Sequence, residues 1–137
     1  MKYEKIHTVH EYWDGPIEGV ANYKGEPHKF KLLFDETKDD FSTDYELQKI
    51  SEKEFNLILH SWSLWLKWND KKDRTKEEFD SHPVLPKDRV EYENIEAQIK
   101  ELAESNDSEK FKMKGLFRRF GSEHHDFEVH WIVDEKE

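Results

Sequence analysis

Eight histidines, 32 carboxylates and no cysteine set the chemistry open to this 137-residue chain. Lacking cysteine, it has no thiolate nucleophile, no disulfide and no Cys-held zinc or iron–sulfur site. His7-x-x-His10 lies on a predicted strand, where a spacing of three turns the two rings to opposite faces, so they do not clasp one ion. Glu123-His124-His125-Asp126 could catch an ion at a turn, but adjacent polar residues at a hairpin tip are ordinarily just solvated. His60, among apolar neighbours, reads as a packing residue. Neither a metal nor a cofactor is expected.

Acid–base work needs a carboxylate or imidazole at a loop or strand end, where sites accumulate. Asp14 in the first turn, His28 opening a strand and His82 before a proline meet that condition. The competing structural reading is an Asx turn at Asp14 and chain reversals at the two histidines. Nucleophilic motifs are missing: there is no Gly-x-Ser-x-Gly, phosphate loop or dinucleotide fingerprint, and the glycines at 15, 19, 25, 115 and 121 are too scattered to build one. Trp62, Trp65 and Trp68 fall at i, i+3 and i+6, spread over a wide arc, so one or two belong in a core and another in a groove or contact. Candidate pocket or binding residues are Tyr12, Trp13, Asp14, His28, Trp65, Trp68 and His82.

The elements that must position these residues follow from periodicity and turn chemistry. Residues 6–13 alternate with a period of two and end at Asp14-Gly15-Pro16. Residues 17–35 read as a hairpin around Lys24-Gly25, and 44–50 as a fourth strand. Ser51-Glu52-Lys53-Glu54 is a capping box, with Ile50 and Phe55 as its hydrophobic staple, and starts a helix that is apolar round most of its circumference and ends near 69–74. Thr75-Lys76-Glu77-Glu78 repeats the box and opens a turn or two of helix. Pro86 suits the first turn of the next helix, and Val90, Tyr92, Ile95, Ile99, Leu102 and Ala103 give that helix its apolar stripe up to 105–107. Strands over 110–120 and 127–133 finish the chain. The order ββββααββ predicts a single α+β domain, 1–137, with an antiparallel sheet of about six strands and two main helices on one face.

Composition limits the function classes. The chain is 34% hydrophobic and 39% charged, and 5 Trp, 5 Tyr and 9 Phe supply the core that scarce aliphatics do not. The net charge of −10 is distributed along the length without a basic run, which disfavours nucleic acid and anionic membranes as partners. No apolar run reaches a membrane span, and no signal segment follows Met1-Lys2-Tyr3-Glu4-Lys5, so a cytoplasmic location is expected.

Tyr12-Trp13-Asp14-Gly15-Pro16, Gly19-Val20-Ala21 and Gly25-Glu26-Pro27-His28-Lys29-Phe30 resemble a group of small uncharacterised bacterial proteins with an aromatic-aromatic-Asp-Gly-Pro opening and a Gly-x-Pro-His hairpin. The likeness extends to Trp62-Ser63-Leu64-Trp65 and Ser81-His82-Pro83-Val84-Leu85-Pro86. It implies a stand-alone bacterial cytoplasmic domain and no activity, and it marks residues 12–16, 28 and 82. Together these readings lead to a non-catalytic interaction domain, with a basic protein partner in the manner of toxin-neutralising immunity proteins, or self-association through the Trp-rich helix. The alternative is a small enzyme or ligand binder with an aromatic-lined pocket between sheet and helices.

Overall fold

The structure, a computed structural model, describes residues 2–12, 16–123 and 125–132. Its elements are β1 (Glu4–Tyr12), β2 (Pro16–Tyr23), β3 (Glu26–Asp35), β4 (Asp40–Lys49), α1 (Glu52–Asp70), α2 (Lys76–Asp80), a 3₁₀ turn at Pro86–Asp88, α3 (Arg89–Ser105), β5 (Lys110–Arg119) and β6 (Phe127–Ile132). They form two compact units, one of residues 1–50 with 108–137 and the other of residues 51–107.

In the first unit the six strands pair antiparallel in chain order, and β1 also pairs with β6 through Glu4↔Val129 and Lys5↔Glu128. The antiparallel α+β character matches expectation, but the expected open sheet is corrected to a closed barrel. Closure removes the sheet edges and turns one face of every strand inward. Phe30, Tyr45, Phe117 and Trp131 fill the inside, every pair among them having ring centroids 5.1–6.0 Å apart. Such pairs add about 0.5–1.5 kcal/mol each beyond the area they bury. The two polar handles are satisfied: Tyr45 Oη donates to the Pro16 carbonyl at 3.0 Å, and Trp131 Nε1 to the Asn22 carbonyl at 2.9 Å. Gly115 lies opposite Trp131 in the ladder and leaves room for its ring.

Local chemistry sets the irregular points. The β2–β3 turn takes Lys24 to φ 54° and Gly25 to φ 80°, a left-handed pair that glycine tolerates at the second position. The Glu4 carboxylate braces it, accepting from the Lys24 and Gly25 amides at 3.0 and 2.9 Å. β1 slips register against β2 at His7 and again at His10, so each histidine is the extra residue of a β-bulge. Strict alternation is thereby broken, and Ile6 and Val9 are both buried.

The helical unit follows the capping signals. Ser51 Oγ accepts from the Glu54 amide at 3.1 Å, and Thr75 and Glu78 form a full reciprocal box. Leu64, Val84 and Ile95 make the core, with Leu57, Tyr92 and Ile99 against it. Polar ties join α1 to α3: Ser61 Oγ donates to Glu96 at 2.6 Å, and His60 meets Glu91 at 3.1 Å. Among the described residues no helix is long and apolar enough to cross a membrane.

Candidate functional site

The barrel positions two of the residues singled out by sequence. His28, 5% exposed, points inward from β3. Its Nδ1 lies 2.9 Å from the Glu26 carbonyl, and its ring meets Tyr23 and Phe111 edge-on at 5.3 and 5.8 Å. It is a core residue of the barrel. Tyr12 ends β1, packs on Phe127 at 6.0 Å and shares its hydroxyl with Arg119 Nη2 at 3.2 Å. Trp13 and Asp14 lie outside the described residues, as does His124.

The two β1 histidines are held separately, each by its own bulge. His7 Nε2 is 2.8 Å from Asn22 Oδ1, and burial lowers its pKa against the opposing effect of that bond. His10 Nε2 is 2.8 Å from Thr8 Oγ1, on an exposed part of β1. The Thr8–His10 contact resembles a nucleophile–base pair in type. However, Thr8 is only 1% exposed and its oxygen already accepts from the Val20 amide at 3.1 Å, so no substrate reaches the hydroxyl.

The helical unit brings Trp68 and His82 together. The His82 ring meets Trp68 edge-on at 4.6 Å, and the Arg74 guanidinium covers the indole at 4.3 Å. Trp68 Nε1 donates to the Glu78 carbonyl at 2.7 Å, while Arg74 Nη1 donates to the Trp68 carbonyl at 2.6 Å. With every polar handle engaged, Trp68 pins the 71–82 loop to the end of α1. Trp65, half-buried, stacks on Trp62 with centroids 4.8 Å apart and planes at 22°. Sequence spacing put these rings on divergent arcs; long side chains at i and i+3 nonetheless meet over one turn. Beside the loop lies an open pocket of about 340 Å³ lined by Lys71, Glu77, Glu78, Leu85, Pro86 and Lys87. Its charged lining residues are Lys71, Glu77, Glu78 and Lys87. Lys71, bonded to Glu78, holds that carboxyl below its usual range, with the Thr75 amide assisting.

The feature that spacing arguments missed is electrostatic. Within the helical unit, residues 51–89 are neutral, and the entire excess of five negative charges falls in residues 90–107. On α3, Ile95 and Ile99 face the core, while Val90, Glu93, Ala97, Lys100, Glu101 and Glu104 fall on the opposite side and are all exposed, Glu93 lying 4.0 Å from Arg89. Glu91 and Glu96 are tied to α1, whereas Glu101, Glu104 and Asp107 make no ion pair among the described residues. Among the described residues no group of three or more His, Asp or Glu has metal-binding geometry. No protein-family model, curated protein or solved structure matches the chain.

Proposed function

We propose that the protein is an interaction domain that docks a basic protein partner on the outward ridge of α3. The observation that carries this is the segregation of the helical unit's net charge into residues 90–107, with Glu93, Glu101 and Glu104 aligned on the solvent side. Dispersed carboxylates serve solubility; a one-sided ridge focuses potential and steers a cationic partner. The neutralising action of immunity proteins on basic toxins is the kind of task such a ridge suits, and that comparison is one of chemistry only.

Capture from the source cells with the wild-type protein and a Glu93→Lys/Glu101→Lys/Glu104→Lys variant, each at low and high salt, tests the reading. A basic protein retained by wild type at low salt and lost both in high salt and on charge reversal supports it. Equal retention by the two baits would refute the ridge as the docking face. The pocket beside Thr75 favours a second reading, a small polar ligand held between Lys71, Lys87 and Glu77; a thermal-shift screen of small carboxylates and amines against wild type and Lys87→Met decides it.

A further inference from the structure

The chain-order meander of the barrel places the C-terminal end of β1 and the β3–β4 and β5–β6 connections at one end. At that end large aromatic rings stand in water although the interior is built of their kind: Phe34 is 50% exposed and Phe120 67%. Tyr12, 39% exposed, ends β1 there. Around them Glu36, Asp39, Asp40 and Glu123 are exposed carboxylates. Among the described residues the cations there are Lys38, Arg118, which pairs with Glu128, and Arg119, whose guanidinium is engaged by the Glu123 carbonyl at 2.7 Å, by Tyr12 and by the Phe127 ring at 4.8 Å. Both turns are braced from within. Asp35 Oδ1 accepts from the Thr37 amide at 3.0 Å and its hydroxyl at 2.6 Å. Asp126 Oδ2 accepts from the Glu123 amide at 3.1 Å, and the Phe120 amide donates to the Asp126 carbonyl at 3.0 Å.

From this we infer that the turn-bearing end of the barrel is a docking surface for a cationic protein segment that carries apolar side chains among its Lys or Arg residues. Exposed aromatics on braced turns lose little conformational entropy on binding, which suits them as anchors. The surrounding carboxylates select the occupant: they attract a basic segment, and they repel both an anionic membrane and the same end of a second copy. The inference rests on the interaction-domain reading but uses a surface other than α3.

The test is titration of isotope-labelled full-length protein with an amphipathic Lys/Leu peptide, followed by amide shifts, alongside a Lys/Ser peptide of equal length and charge. The expected shifts fall at Phe34, Glu36, Phe120 and Glu123. Phe120→Ser, at an exposed position, and Glu36→Lys/Glu123→Lys each weaken binding about tenfold, as does replacing Leu by Ser in the peptide. Unchanged affinity of Phe120→Ser, equal binding of the two peptides, or the same shifts produced by unlabelled protein alone would overturn it. Shifts confined to α3 also overturn it while leaving the α3 reading intact; shifts at the barrel end with α3 silent do the reverse.

Discussion

Replacing three glycines of the barrel by alanine separates backbone crowding, ring crowding and backbone conformation. A Cβ on Gly19 would sit 2.1 Å from the Thr8 carbonyl oxygen and 3.1 Å from the Phe30 ring. The obstacle is backbone, drawn across Gly19 between the bulges at His7 and His10, and it yields only if β1 and β2 part by about 1 Å, which strains the ladder between them. Gly19→Ala is therefore expected to cost about 3 kcal/mol or more. A Cβ on Gly115 meets ring carbons of Phe117 and Trp131 at 2.9 Å. Rings tilt, so overpacking of about 1–3 kcal/mol is offset by about 0.5–1 kcal/mol from a less flexible unfolded chain, a net of about 1 kcal/mol. At Gly25 nothing lies within 4 Å, and only its φ of +80° penalises alanine, by about 1 kcal/mol. With a urea slope of about 2 kcal/mol/M, Gly19→Ala lowers the unfolding midpoint by about 1.5 M and each of the others by about 0.5 M, read by circular dichroism. An insoluble Gly19→Ala beside soluble Gly115→Ala and Gly25→Ala points the same way. A wild-type midpoint for Gly19→Ala, or Gly25→Ala as the most damaging of the three, would refute the described approach of β1 to β2.

Burial raises the Tyr45 hydroxyl to about 12. Because the folded value lies above the unfolded one, the stabilisation is complete below pH 10 and is lost as pH rises from 10 to about 12; near-ultraviolet titration should show a late phenol that Tyr45→Phe removes. Thr75→Ala deletes the hydroxyl that caps α2 and should cost about 1 kcal/mol in the thermal stability of the helical unit, with Thr75→Ser restoring it. Glu104→Lys places a cation in the last turn of α3, which has none, and is expected to raise stability by about 0.3–1 kcal/mol while weakening capture of a basic partner. A drop in both quantities would remove the argument that the ridge is maintained against stability.

Local chemistry was legible in the sequence wherever it is local. The Ser51 and Thr75 caps and the Lys24-Gly25 turn stand where spacing places them. Barrel closure was not legible, because it depends on Glu4 and Lys5 finding Val129 and Glu128 across nearly the whole chain, and no periodicity records such a pairing. Bulges hid the fate of β1: each inserted residue flips the faces after it, so the His7 and His10 environments could not be read from alternation. Of the candidate site residues, spacing identified the aromatic and imidazole types. It could not say that Trp68 and His82 share one contact while His28 serves the barrel interior, since that depends on where the chain returns.

The chain departs at two places from rules it obeys elsewhere. α1 has Glu52 and Glu54 in its first turn and Lys67 in its last, the arrangement that complements the helix dipole. α3 ends without a basic residue, carrying Glu101 and Glu104 where the carbonyl ends already concentrate negative potential, with Asp107 just beyond. The same contrast holds in the barrel, where Phe30 and Trp131 are buried to 1% and 5% exposure while Phe120 stays 67% exposed on a braced turn. Neither departure is needed for folding: a lysine at 104 or a serine at 120 is compatible with its local backbone. Each sets an unfavourable term, uncompensated charge in one unit and hydrated aromatic surface in the other, that binding a cationic, partly apolar segment would relieve.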